Sequence, residues 1–113
     1  MGNIIVNIAK DYSRCPGARY NSEGDFSGEK FREELLKPKI NEAIEQGVKL
    51  EVVLDGSAGY STSFLEEAFG GLIRTDKMDL KVIKENLIII SDEDPSYAVD
   101  VNLYLENAWN HRN

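Results

Sequence analysis

The chain has 113 residues and a formal net charge of −7, which suits one domain with its own core and disfavours binding to nucleic acid or to anionic lipid. Cys15 is the single cysteine and has no partner for an internal disulfide. The first residues do not show a positively charged region followed by a long apolar one, and no segment approaches the roughly 18 apolar residues of a membrane span. We therefore expect a soluble cytoplasmic protein made of one domain, residues 1–113, with no nucleic acid or membrane partner.

The chain begins with a predicted strand and a long loop. Residues 3–9 are rich in β-branched side chains and contain neither glycine nor proline, which favours a strand near the centre of a sheet. Residues 10–28 have no clear periodicity and carry several turn signals. A loop of this length often contacts a ligand or a partner. A short hairpin around Arg19 and Tyr20 is the alternative.

A helix is predicted to follow, starting at Ser27. A serine side chain can accept hydrogen bonds from the free amides of a first helical turn. Apolar residues then recur at helical spacing as far as Gly47, which is expected to end the helix. Because Pro38 removes one amide and its ring clashes with the preceding turn, we expect a kink or a break near Lys37.

The second half of the chain repeats this alternation. It predicts strands at 48–54 and 87–90, a helix at 63–74, one or two helical turns at 76–86, and a last helix that starts at Asp94 and Pro95 and ends near Trp109. The final residues, 110–113, are expected to be disordered. Strands that alternate with helices indicate an α/β fold, and we expect a mostly parallel or mixed sheet of about four strands covered by helices.

Three hydroxyl residues stand at the predicted start of the 63–74 helix: Ser61, Thr62 and Ser63. One interpretation is a capping box, in which Ser63 accepts from the amide of Glu66 and the Glu66 side chain reaches back. The other is a phosphorylation or anion-sensing switch, since a phosphate at a helix N-terminus meets free amides, although the neighbouring glutamates would repel it. Further along, Gly70 and Gly71 indicate either close packing of a neighbouring backbone or the end of the helix, and we favour close packing.

Several patterns that would indicate an enzyme do not fit. His111 is the only histidine and lies near the end of the chain, which removes the usual general base. Residues 24–30 lack the spacing of a phosphate-binding loop. Cys15 and Arg19 are too close together for a cysteine phosphatase. The acidic run at 92–94 is explained by helix capping, so we expect no catalysis, no cofactor and no metal.

Two segments of the sequence resemble a known family. They are GARYNSEGDFSGEKFREELLKP, beginning at Gly17, and LDGSAGYSTSFLEEAFGGLIR, beginning at Leu54. Together they resemble a bacterial STAS-like domain family of unknown function, which is related to the STAS domains of anti-sigma-factor antagonists. Members are often encoded beside histidine-kinase-like ATPases. The resemblance covers roughly residues 3–105.

The resemblance implies a function for the hydroxyl residues. In the antagonists, a partner kinase phosphorylates a Ser or Thr at this helix start, and phosphorylation releases a bound regulator. The positions that match are Ser63 and, one residue before it, Thr62; here the loop after Asp55 is shorter and Phe64 replaces a common glycine. We expect a non-enzymatic module that binds a histidine-kinase-like ATPase through a surface composed of Asp55, Tyr60, Ser61, Thr62, Ser63, Phe64 and Glu67.

Two alternatives remain open at this point. The first is a sensor of a small ligand, a nucleotide or another anion, held by Arg19, Arg32 and the amides near Ser27 and Gly28. The second is an oligomer-forming accessory subunit whose interface is the 10–28 loop.

Overall fold

The computed structural model describes residues 2–112. The elements alternate in the predicted manner, and two of the helices contain a π-helical turn between α-helical pieces. In chain order they are β1 (Ile4–Asn7), α1 (Ile8–Asp11), a 3-10 turn (Asn21–Glu23), α2 (Gly28–Phe31, then the π turn Arg32–Leu36, then Lys37–Gln46), β2 (Leu50–Val53), α3 (Thr62–Leu65, then the π turn Glu66–Gly70, then Gly71–Arg74), α4 (Leu80–Asn86), β3 (Leu87–Ile90) and α5 (Ser96–Asn110).

The three strands form one parallel sheet in the order β1-β2-β3, which confirms the α/β class. The expectation of about four strands is wrong for the part of the chain that the structure describes. The segment around Arg19 forms no hairpin, because its carbonyl groups accept hydrogen bonds from the first amides of α2 instead. The amide of Gly28 donates to the Ala18 carbonyl at 2.8 Å, and the amide of Glu29 donates to the Arg19 carbonyl at 3.0 Å.

The first strand is also shorter than predicted. It ends at Asn7, whose side chain accepts from the Lys10 amide and starts the short helix α1. The 10–28 segment therefore opens with the end of a helix and contains a 3-10 turn. Outside these turns, hydrogen bonds to distant parts of the chain hold the segment in place. Such bonds need no regular spacing of apolar residues, which is why the sequence of this segment shows no periodicity.

The core lies on one face of the sheet. In the aligned register, Val6 lies beside Val52, and both are buried, as is Leu50. Residues at the alternate positions of the strands point to the opposite face of the sheet. There Ile5 of β1 is 62% exposed and Ile88 of β3 is 36% exposed. Alternation of buried and exposed positions shows that the helices cover one face and leave the other face open.

Helix α2 begins as predicted and continues through its proline. Ser27 accepts from the Lys30 amide at 3.0 Å, and Gly47 ends the helix in the left-handed conformation, at φ 69°. No break occurs near Lys37. The π turn directly before Pro38 widens the helix, so that the ring is accommodated without interruption.

Helices α2 and α3 cross where their glycines allow close approach. A methyl group added at Gly28 would lie 2.5 Å from the Phe64 carbonyl oxygen, and one added at Gly71 would overlap the Arg32 guanidinium. Close packing at Gly71 is therefore confirmed, with a side chain of α2 rather than a backbone as its neighbour. This crossing places the beginning of α3 beside the beginning of α2.

The last helix lies against α3. The Asp94 carboxylate accepts from the Ser96 amide at 3.1 Å, which agrees with the predicted capping, and the helix ends at Asn110. The Arg112 guanidinium lies over the Trp109 ring at 3.4 Å, whereas Asn113, the end of the tail predicted to be disordered, lies outside the described residues. None of the helices between residues 2 and 112 has the length and apolarity that crossing a membrane requires.

Candidate functional site

The start of α3 is fixed by Ser61. This residue has an extended backbone, and its Oγ accepts from the Phe64 amide at 3.0 Å. The same hydroxyl donates to the Gly17 carbonyl at 3.1 Å. A second bond, from the Ala58 amide to the Arg14 carbonyl at 2.8 Å, links the loop before α3 to the 10–28 loop. One serine therefore caps the helix and helps to hold two loops together.

The predicted capping box at Ser63 is wrong. The capping residue lies two positions earlier than predicted, at Ser61, and the helix begins at Thr62, so Ser63 lies within the first turn. The Glu66 side chain binds arginines instead of reaching back. The Thr62 side chain is exposed and that of Ser63 is half-buried. Between residues 2 and 112, neither hydroxyl makes a hydrogen bond. Both are therefore available for modification without loss of the cap.

These positions form one accessible patch, which we call the entrance surface. Its helix part consists of the three hydroxyl residues, and its loop part comes from the two segments that the Ser61 and Ala58 bonds bring beside them. The entrance surface comprises Arg14, Cys15, Gly17, Ala58, Ser61, Thr62 and Ser63, all exposed except the half-buried Ser63. The sequence predicts a partner contact for the 10–28 loop as a whole but does not place Arg14, Cys15 and Gly17 beside the hydroxyl residues, because contacts between distant segments leave no periodic signal.

Asp55 and Tyr60 brace the loop behind the entrance surface. The Asp55 carboxylate accepts from the amides of Asp92 and Glu93, at 3.2 and 2.9 Å, and so ties the end of β2 to the end of β3. The Tyr60 hydroxyl donates to the Leu54 carbonyl at 2.7 Å. Burial raises the pKa of Tyr60 above its ordinary value of 10.0. Both side chains remain partly exposed, so the predicted contact with a partner is compatible with their position.

Two residues predicted to contact a partner are buried instead. Phe64 is fully buried, with its ring 5.9 Å from that of Phe31, and Glu67 is 3% exposed. Side chains in these positions do not reach a partner's surface, so this part of the prediction is corrected. Both face α2 because the crossing at Gly28 brings α2 against the first turns of α3.

Glu67 belongs to a buried ion-pair network that the sequence did not predict. The Arg32 guanidinium is 2% exposed, pairs with the Glu67 carboxylate and donates to the Glu67 carbonyl at 3.0 Å. Its Nε lies 3.0 Å from an Asp76 carboxylate oxygen. Arg74, two helical turns after Glu67, approaches the same carboxylate at 3.1 Å. Of these contacts, only that between Glu67 and Arg74 is indicated by the sequence, because the two residues are two turns apart on the same face of one helix.

Glu66 lies beside this network and is bound by two arginines. It pairs with Arg19 and, at 2.6 Å, with Arg74. Burial alone would raise the pKa of Glu66, but the hydrogen bonds from Arg74 and Arg19 outweigh it and hold the pKa below the ordinary 4.5. The hydrogen bond to Glu66 likewise raises the pKa of Arg74. The two glutamates beside the hydroxyl residues are thus largely neutralised by arginine.

The donors of the predicted anion site are already engaged within the chain. Arg19 and Arg32 are paired with glutamates, and Arg32 is buried. The hydroxyl of Ser27 donates to Asn21 at 2.6 Å, and the Gly28 amide donates to a loop carbonyl. The structure brings these four residues to the same end of α2, but there each of them already donates to, or is ion-paired with, an acceptor of the chain itself. No observation therefore favours the anion-sensor alternative at this position.

A shallow depression lies next to the entrance surface, at the carboxyl ends of β1 and β2. Its volume is about 360 Å³, and it is lined by Asn7, Ala9, Lys10, Arg14, Asp55 and Gly56. In open parallel sheets, this edge is where ligands and partners most often bind. Arg14 belongs to both the depression and the entrance surface, so the two are continuous.

Residues 27–97 match the sequence model of a protein family described as a STAS-like domain of unknown function. The matched range includes α2, the three hydroxyl residues and the start of α5. No curated protein and no solved structure gives a significant match.

Proposed function

Because the chain belongs to the family of STAS-like domains of unknown function, we propose that it is a non-enzymatic regulatory module whose entrance surface binds a protein partner. The partner we propose is a histidine-kinase-like ATPase, which phosphorylates Thr62 or Ser63 and so controls binding.

The observation that carries this proposal is the state of the two hydroxyls. Thr62 and Ser63 lie in the first turn of α3, unbonded within the described chain, while Ser61 performs the capping. Modification of either residue therefore leaves the cap intact. A first-turn phosphate also meets helix amides without intrahelical partners and the positive end of the helix dipole. The site accepts a dianion while the fold is retained.

The electrostatic objection to a phosphate at this place is reduced by the arginines. Glu66 and Glu67 lie in the next turn after the hydroxyl residues, but their carboxylates are held by Arg19, Arg32 and Arg74. A phosphoryl group still adds close to two negative charges to the entrance surface. A partner that binds the unmodified surface then meets a changed charge, which is the basis of a binding switch.

The entrance surface carries no arrangement typical of a catalyst. His111 lies at the end of α5, where its Nδ1 contacts the Asn107 carbonyl oxygen at 2.7 Å. The hydroxyls of Thr62 and Ser63 have no hydrogen-bonded base within residues 2–112. A nucleophilic serine or threonine needs such a base, so we assign these residues as acceptors of a phosphoryl group and not as nucleophiles of the module's own chemistry.

The experiment is a binding measurement with a histidine-kinase-like ATPase encoded beside this chain's gene. The unmodified chain is expected to co-elute with the ATPase in size-exclusion chromatography without nucleotide. Thr62→Glu combined with Ser63→Glu should weaken binding by at least about tenfold, since it places two negative charges on the entrance surface. Thr75→Glu is the matched control, because Thr75 is an exposed hydroxyl residue at the other end of the same helix. Equal binding by all three proteins would contradict the proposal.

A further inference from the structure

A cavity of about 480 Å³ lies between the end of α3 and the last turns of α5, away from the entrance surface. Its size is within the range of cavities that hold small organic ligands. None of the entrance-surface residues lines it. What it binds is therefore a question separate from the proposed partner.

The inner wall of the cavity is apolar. Ile73 and Ala108 are buried, and Met78 and Trp109 are half-buried beside them. Trp109 offers a large flat ring, and methionine adapts its shape to what it contacts. This wall favours a flat apolar body.

The rim of the cavity is cationic. Arg74, Lys77 and Arg112 line it and are exposed, and the one carboxylate among the lining residues, Glu66, is already paired with two arginines. The chain as a whole has a net charge of −7, so the positive charge at this rim is opposite in sign to that of the whole chain. Arg74 is itself paired with Glu66 and Glu67. Lys77 and Arg112 are therefore the rim cations that pair with no carboxylate of residues 2–112, and with the apolar wall they are complementary to an anionic head group on an apolar body.

Lys77 has an unusual backbone for a lysine. Its φ is 62°, in the left-handed region that favours glycine, directly after α3 ends. A left-handed residue commonly ends a helix, and here the Lys77 amide donates to the Ile73 carbonyl at 3.2 Å. Here the lysine chain extends along the cavity rim, with its ammonium 3.0 Å from the Arg74 carbonyl oxygen.

We propose that this cavity binds a small organic anion that combines a flat apolar body with one carboxylate, sulfonate or phosphate group. The apolar body lies against Trp109 and Met78, and the anionic group meets Lys77 and Arg112. The proposal rests on the cavity alone and holds whether or not the entrance surface binds an ATPase.

Trp109 provides the measurement, because it is the only tryptophan in the chain. The probe is anilinonaphthalene sulfonate, an aromatic anion that accepts energy from tryptophan, and the uncharged phenylnaphthylamine has the same ring systems without the charge. The folded protein should quench Trp109 on addition of the anion, with saturation at one site. The uncharged compound should bind at least about tenfold more weakly, since it lacks a charged hydrogen-bonding group.

Two variants test the rim. Lys77→Gly removes the ammonium at a backbone position that glycine adopts without strain, so its melting temperature should equal or exceed that of the unmodified chain while the affinity for the anion falls by about tenfold. Arg112→Ala should weaken binding similarly. Lys39→Ala is the control, since Lys39 lies on α2 and pairs only with Glu42. Equal affinity for the two compounds, or an equal effect of all three substitutions, would overturn the proposal, as would the absence of saturable quenching.

Discussion

At the scale of single residues, the Ser61 hydroxyl performs two tasks, since it caps α3 and binds the Gly17 carbonyl. Ser61→Ala is expected to lower the free energy of unfolding by about 1 kcal/mol, the usual cost of a lost N-cap. Ser63→Ala should cost less than about 0.5 kcal/mol, because that hydroxyl is unbonded in the described chain. Urea denaturation of both variants measures the difference. A larger loss for Ser63→Ala would show that the cap has been assigned to the wrong residue.

Glu66 makes stability depend on pH in a defined direction. Its pKa is lower in the folded chain than the ordinary 4.5, because the hydrogen bonds from Arg74 and Arg19 outweigh burial. A carboxylate with a depressed folded pKa contributes stability that is present above pH 4.5 and is lost as the pH falls through the folded value. Glu66→Gln should therefore reduce the loss of stability below pH 4.5.

The control for this measurement is Glu45→Gln, because Glu45 is an exposed residue of α2 for which the described chain shows no ion pair. Denaturant unfolding at a series of pH values, from neutral to acidic, gives the free energy of unfolding against pH for the unmodified chain, for Glu66→Gln and for Glu45→Gln. The Glu45→Gln curve should parallel that of the unmodified chain. Parallel curves for all three proteins would contradict the assignment of Glu66 as a coupled, stabilising carboxylate.

At the scale of elements, the crossing of α2 and α3 depends on Gly71. Gly71→Ala places a methyl group against the buried Arg32 guanidinium, which is held by two carboxylates and has no room to move. We expect a loss of about 1–3 kcal/mol, as for other overpacked positions. Gly70→Ala meets the ends of the Glu66 and Arg74 side chains, which are more exposed than Arg32 and can shift toward solvent. Alanine favours helix by about 1 kcal/mol over glycine, so this substitution should be neutral or stabilising.

Thermal and urea unfolding give the stability of the two alanine variants. Because the positions are adjacent in one helix, the gain in helix propensity is the same for both and cancels in the comparison. Equal stabilities would mean that Arg32 rearranges easily, contrary to the ion pairs that hold it. A greater loss at Gly70 would contradict the packing that the structure shows.

The elements differ in how far the sequence predicts them. The β-branched runs of β1 and β3 and the cap at Ser27 are local signals, so these elements were found close to their observed positions. The predicted cap of α3 lies two residues after the observed one, because three consecutive hydroxyl residues can each cap a helix. The contact that selects Ser61 comes from Gly17, 44 residues away in the chain.

The candidate site was predicted less completely than the fold. The hydroxyl residues were identified as a group, but Phe64 and Glu67 were expected on the surface and are buried. Their burial depends on where α2 crosses α3, which in turn depends on the small size of Gly28. Arginines that were expected to bind an external anion, Arg19 and Arg32, bind internal glutamates instead. Charge pairing across elements has no signature in a single sequence.

At the scale of the whole molecule, a three-stranded parallel sheet carries its helices on one face and presents the entrance surface at the carboxyl ends of β1 and β2. The cationic cavity lies apart from it, where α3 ends. The two features share one helix, with the entrance surface at its beginning and the cavity at its end. The binding sites that we propose for a protein partner and for a small anion are therefore separate.

The central claim is that Thr62 or Ser63 receives a phosphoryl group from the partner ATPase and that this modification releases the partner. The most direct measurement incubates the chain with the neighbouring ATPase and magnesium ATP, then determines the intact mass and maps the modified residue. We predict the addition of one phosphoryl group at Thr62 or Ser63, its absence in the Thr62→Ala, Ser63→Ala double variant, and loss of co-elution after modification. An unchanged mass, or a phosphoryl group at Thr75 or elsewhere outside the entrance surface, would contradict the account.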